Sequence, residues 1–125
     1  MGPVTLSPPM RELPDGGQEF VVEDGALSFI RIDERSRLDF GGTEVVIGGP
    51  FVVCVDGVTH HLDPRRPDAL GPLLSLFPGS LRWLWTSIDG VLTAVFENGA
   101  TLTVRPDPVR EAWSIGSLYC PPTGD

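Results

Sequence analysis

The chain has 125 residues and a formal charge of −8 at neutral pH, and all nine of its basic residues are arginine. The length suits one small domain, and a hydrophobic fraction of 41% is that of a folded chain rather than a disordered one. Without lysine there is no Schiff-base, P-loop or Ser-Lys chemistry, and the acidity argues against a nucleic-acid ligand, which needs clustered positive charge.

Cys54 and Cys120 lie too far apart in sequence to suggest a metal pair or a disulfide framework. The N-terminal MGPVTLSPPMRELPDGG has no charged region leading into an apolar run. No apolar stretch approaches the roughly 18 residues that span a bilayer. These features predict a cytoplasmic protein with reduced thiols, no membrane contact and no cofactor.

Taken in order, residues 1–17 carry Pro3, Pro8, Pro9 and Pro14 and then Gly16-Gly17, which predicts a flexible arm without ladder hydrogen bonds. Residues 18–119 are expected to form a single β-rich domain, with 120–125 a flexible tail. Asp24-Gly25 is a hairpin signal, and a two-residue loop there pairs Val22 with Leu27 and Phe20 with Phe29. Leu38 and Phe40 begin another strand that stops at Gly41-Gly42. Glu44 to Ile47 is a short strand. Asp56-Gly57 sets Phe51 against Leu62, Val53 against His60 and Cys54 against Thr59. Both faces of Phe51–Val55 are apolar, which predicts a strand covered on both sides. Residues 68–77 are the one helix candidate, capped by Asp68 and interrupted by Gly71-Pro72. Leu70, Leu73, Leu74 and Phe77 would pack inward from it.

From Leu81 onward the register follows from side-chain parity. A two-residue turn at Asp89-Gly90 pairs Trp85 with Ala94 and Trp83 with Phe96. A three-residue loop, Glu97-Asn98-Gly99, pairs Ala94 with Leu102 and Leu92 with Val104. Together these put Leu81, Trp83, Trp85, Leu92, Ala94, Phe96, Leu102 and Val104 on one inner face. Leu84, Val91, Val95 and Arg105 fall on the outer one. Residues 110–117 form a closing strand, with Trp113 and Ile115 on one side. The whole reads as a mainly β fold, an antiparallel meander of roughly eight strands curled into a barrel or a two-layer sheet.

No catalytic constellation emerges. His60 and His61 are adjacent on a strand, so they point to opposite faces and cannot easily share a metal ion, His60 inward and His61 outward. Cys54 lies diagonal to His61 but in a Val-rich strand, where an inert thiol is the usual case. Asp24, Asp56 and Asp89 occupy turns, and Glu111 sits at a strand edge near Arg110 and Arg105. The expected surface for a partner comprises Leu84, Val91, Val95, Arg105 and Glu111, with a homodimer through Leu84, Val91 and Val95. Trp83, Trp85, Phe96 and Trp113 are core residues or the lining of an apolar pocket.

The motif Glu-Ala-Trp-Ser-Ile-Gly (Glu111 to Gly116), the preceding FENGATLTVRP (Phe96 to Pro106) and the earlier GGPF and HLDP segments resemble a family of small actinobacterial proteins of unknown function. The resemblance spans about residues 25–117 and implies no catalytic residue. By analogy, domains ending in this motif are similar to immunity proteins of bacterial toxin systems. The expected function is non-enzymatic protein binding, immunity-like in type; the alternative is a β-barrel holding a small apolar ligand.

Overall fold

A computed structural model describes residues 8–124 of the chain. Two antiparallel sheets, of seven and five strands, form its framework. The chain opens with a hairpin of β1 (Met10–Glu12) and β2 (Gln18–Phe20). It then builds a meander of β3 (Leu27–Ile32), β4 (Ser36–Phe40) and β5 (Thr43–Ile47). A second hairpin follows, β6 (Phe51–Val55) and β7 (Val58–Leu62), and after it a 3-10 turn at Pro67–Ala69 and the short helix α1 (Gly71–Leu74). The last strands are β8 (Leu81–Thr86), β9 (Leu92–Phe96), β10 (Thr101–Val104), β11 (Trp113–Ile115) and β12 (Leu118–Tyr119).

The first sheet has the order β1-β2-β8-β9-β10-β6-β7 and the second β12-β11-β5-β4-β3. Neither closes on itself, so of the two expected architectures the two-layer one holds and the barrel does not. The sheets face each other in the manner of a sandwich. Phe40 of β4 meets Phe96 of β9 with ring centroids 6.0 Å apart, and Phe20 of β2 meets Trp113 of β11 edge-on at 6.4 Å. Strands β4, β9 and β10 alternate buried and half-buried residues along their length, the period-two pattern of sheets with one face on a core. Leu92, Val104, Val53, Ile47 and Ile115 are fully buried at its centre.

Several expectations hold residue for residue. The Asp56-Gly57 turn has positive φ at both positions (51° and 77°), as a two-residue hairpin requires. Its register pairs Phe51 with Leu62, Val53 with His60 and Cys54 with Thr59. The three-residue loop at Glu97-Asn98-Gly99 pairs Ala94 with Leu102 and Leu92 with Val104. It is closed by Phe96 N–H to Ala100 O at 2.8 Å, and Asn98 Oδ1 accepts the Ala100 N–H.

Others are corrected. Asp24-Gly25 does not make a hairpin: β2 pairs with β1 and β8, while β3 pairs with β4. Asp24 Oδ1 instead accepts the Ala26 N–H in a local turn, and an Ala26–Ser80 bridge ties the crossing chain down. Phe29 therefore lies exposed on an edge strand. Residues 1–7 of the expected arm lie outside the described residues, but Met10–Glu12 pair with Gln18–Phe20 through a full ladder. Pro14 sits in the turn between them, where it costs no ladder bond. The tail is tied in as well: Cys120 exchanges backbone hydrogen bonds with Ala112 and Trp113, and Thr123 and Gly124 donate to Asp107 and Pro108. Strand β6 is inner in its sheet, yet Val52 and Cys54 are only half-buried, so its outer face is not covered by another layer. In the helical segment Leu70, Leu73 and Leu76 are buried, and Leu74 and Phe77 point outward. Asp68 makes no capping hydrogen bond.

The correction with the largest consequence is at Asp89-Gly90. The loop there holds three residues, Ile88 to Gly90, closed by Ser87 N–H to Val91 O at 2.9 Å and Gly90 N–H to Ser87 O at 3.0 Å. It repeats the design of the next hairpin, with glycine at φ +85° in the left-handed region. Ser87 Oγ accepts the Val91 N–H, as Asn98 does in its own loop. One extra residue moves the register to Thr86–Leu92, Trp85–Thr93 and Leu84–Ala94. The side chains of Trp83 to Thr86 therefore change face. Leu84 and Thr86 go into the core, and Trp83 and Trp85 go out. A register shift between Leu81 and Trp83 then returns Leu81 to partial burial.

Candidate functional site

The outer face of the larger sheet is laid out by its register. One row across the strands runs Arg11, Glu19, Trp85, Thr93, Thr103, Val52 and His61. The next carries Trp83, Val95, Thr101, Cys54 and Thr59. Two tryptophans two residues apart on one strand thus stand side by side on an open surface. Trp83 is 49% exposed, far from the usual position of so large an apolar ring. Trp85 is half-buried beside its cross-strand neighbour Glu19.

The segment before β2 turns this face into a groove. Leu13, Pro14 and Asp15 of the β1–β2 turn, with Arg11, Glu19, Trp83 and Trp85, line a shallow, open groove of about 530 Å³. The turn is fixed by Leu13 N–H to Gly17 O at 2.8 Å and by Asp15 Oδ1, which accepts the Gly17 N–H. Glu19 is only 18% exposed at its side chain and is held by Arg11, whose Nε lies 3.1 Å from Oε2. The Arg82 guanidinium stacks on Trp83, 4.9 Å from the ring centroid. The groove therefore combines two indole faces, a carboxylate already engaged by a guanidinium, and a ring already under another.

The other expected site residues are scattered. Leu84 is 1% exposed and belongs to the core, which removes it from any partner surface. Val95 lies on the outer face opposite Trp83, and Val91 is half-buried in the loop after β8. Arg105 is exposed beside His61 and Asp107, on the far side of the sheet from the groove. Glu111 is half-buried in a separate polar cleft of about 680 Å³ shared with Asp33, Arg35, Arg65 and Arg110. Of the four residues expected to line a pocket, Trp83 and Trp85 face outward. Phe96 and Trp113 are core, and the Trp113 indole N–H donates to Gly90 O at 2.9 Å. They share no common cavity.

The charged loops have local explanations. In the polar cleft the Arg35 backbone N–H, and then the charges of Arg37 and Arg31, hold the Asp33 carboxyl below its ordinary range. Asp63 is lowered mainly by the Arg65 side chain, in contact at 2.8 Å, and by the Arg65 backbone N–H. Cys120 is buried, and burial and then the Glu111 charge push its thiol up. Cys54 faces outward on β6, its sulfur 4.0 Å from Thr59 Oγ1. His60 and His61 fall on opposite faces of β7, and among the described residues no three His, Cys, Asp or Glu side chains converge as metal ligands.

The sequence does not reveal the groove, because residues 11–17 read as part of an arm, Glu19 as part of a hairpin about Asp24-Gly25, and Trp83 and Trp85 as inward. The signal was present: Pro14-Asp15-Gly16-Gly17 is a turn sequence between two short runs, and folding about it brings Arg11 opposite Glu19.

A family model described as a family of unknown function (DUF6188) matches residues 20–124. The chain belongs to that family. The matched span includes Trp83, Trp85 and the whole second sheet, whereas β1 and the groove wall of Arg11 to Glu19 precede it. No curated protein and no solved structure matches the chain. Among the described residues no helix is long and apolar enough to cross a membrane.

Proposed function

We propose that the chain is a non-enzymatic protein-binding domain that seats its partner on the outer face of the larger sheet, with Trp83 and Trp85 as anchors. The observation that carries this reading is the pair of outward tryptophans in the groove, one of them half in water. Tryptophan is among the residue types that most often dominate binding energy at interfaces, because its rigid ring buries a large area at a small cost in conformational entropy. The threonines and Val95 beside them offer a flat surface that a partner can cover without unpairing backbone groups, all of which are in the ladder. The charge of −8 favours a basic partner and fast, salt-sensitive association. That pattern also suits an immunity-like role, a small acidic domain that neutralises a basic protein. The free thiols Cys54 and Cys120 suit a reducing compartment.

The test is capture of partners from cells of the native organism by three forms of the chain: wild type, Trp83→Ala/Trp85→Ala, and Arg105→Ala on the far side of the sheet. A stoichiometric partner held by wild type and Arg105→Ala but lost by the double variant supports the site. Equal capture by all three removes it. Sedimentation of the isolated wild-type chain checks whether a second copy takes the same face.

A further inference from the structure

We infer that the groove receives an extended, arginine-bearing segment of the partner, its guanidinium groups seated on the Trp83–Trp85 pair and against Glu19; this rests on the function proposed above. The chain's own arginines already show both contacts. Arg82 lies 4.9 Å over the Trp83 ring, and Arg11 holds Glu19 through Nε at 3.1 Å. Each acceptor therefore has geometry that suits a planar cation, by ring quadrupole in one case and by charge-assisted hydrogen bond in the other. Both arginines lie at the surface: the Arg11 side chain is 71% exposed, on a three-residue edge strand with no buried residue, and Arg82 is exposed too. An exposed pair of this kind contributes little to stability and can exchange for another guanidinium.

Spacing selects the form of the ligand. Trp83 and Trp85 are alternate residues of one strand, so their Cα atoms recur at about 6.7 Å, the repeat of alternate positions in an extended peptide. A segment lying along β8 with arginine at every second position can present one guanidinium to each. Charge selects its sign. Asp15 and Glu19 line the groove with Arg11, Arg82 lies over Trp83, and the acidic excess is that of the whole chain at −8. A glutamate-bearing segment meets repulsion at Glu19 and gains nothing from the electron-rich ring faces.

The probes are three capped heptapeptides of alternating threonine and a second residue: arginine, glutamate or leucine. Binding to the full chain is followed by tryptophan fluorescence and checked by calorimetry. Saturable binding of the arginine peptide is expected, weaker by about three- to tenfold in Glu19→Gln and in Trp83→Ala and weakened by added salt. The glutamate peptide should not bind. Equal affinity for the arginine and glutamate peptides, or no effect of Glu19→Gln, overturns the inference. Trp83-dependent binding of the leucine peptide without the arginine peptide overturns it too, but leaves the proposed groove intact. No binding by any of the three removes both. Circular dichroism of each variant confirms that the fold is kept.

Discussion

Replacing Leu84 and Trp83 one at a time tests the register of β8 directly. Leu84 is 1% exposed and packed between the sheets. Truncating such a leucine to alanine removes its transfer free energy and leaves a cavity, a cost of about 2–5 kcal/mol. Trp83 is 49% exposed with only Arg82 stacked on it. Its truncation to alanine gives up partial burial and one exposed cation–π contact, about 1 kcal/mol. For a domain of this size about 1 kcal/mol moves the melting temperature by about 4 °C. Leu84→Ala should therefore melt about 8–20 °C below wild type, and Trp83→Ala only about 4 °C below it. Thermal unfolding followed by far-ultraviolet circular dichroism, with urea midpoints as a second measure, gives the order. A two-residue turn at Asp89-Gly90 makes the opposite forecast, because it buries Trp83 and exposes Leu84. If Trp83→Ala proved the more damaging change, the three-residue loop and the outward tryptophans would both be wrong.

Three further outcomes are expected. Ser36 is fully buried on β4 and its hydroxyl has no hydrogen-bond partner. Ser36→Ala should leave the urea midpoint unchanged or raise it, since an unsatisfied buried hydroxyl costs about 1–3 kcal/mol; a loss of stability of more than about 1 kcal/mol would point to a hidden partner. The Asp63 carboxyl is lowered in the folded chain by Arg65. Its contribution is thus complete above the unfolded value of about 3.9 and is lost as pH falls through the folded one. Wild type should exceed Asp63→Asn in stability at pH 7 by no more than about 1 kcal/mol, and the gap should close as pH falls through the folded value; a gap that is constant with pH contradicts the ion pair. Finally, iodoacetamide at neutral pH should modify Cys54, on the outer sheet face, well before Cys120, which burial and the Glu111 charge keep protonated. Mass spectrometry of digests separates the two sites, and faster labelling of Cys120 would show that the tail opens readily.

How much was legible depends on the range of the interaction that decides each feature. Asp56-Gly57 and Glu97-Asn98-Gly99 were readable because turn chemistry and the alternation of their own flanking residues agree. The same reasoning failed at Asp89-Gly90, where two loop lengths are locally acceptable. The longer one is supported from outside the hairpin, by the Trp113 indole that donates to Gly90 O across the gap between sheets. The site was less legible than the fold. Arg11 and Glu19 lie eight residues apart in a stretch dense in proline and glycine, and Glu19 meets Trp85 only because β2 pairs with β8.

By itself the sequence determined that this is a β-rich chain of short strands and tight turns, with one weak helical segment, no lysine chemistry and an acidic surface. Those properties follow from residue types and from contacts within a few positions. Tertiary structure alone decided the division into two sheets, the crossing of the chain at Asp24-Gly25 and the face on which each tryptophan stands. The first two depend on which strands find each other over long stretches of chain, as Glu19 finds Trp85, and the third on a loop braced from the other sheet by Trp113. A side-chain period of two leaves the choice of face to a single residue of loop length, and here that residue placed Leu84 inside and turned Trp83 and Trp85 outward.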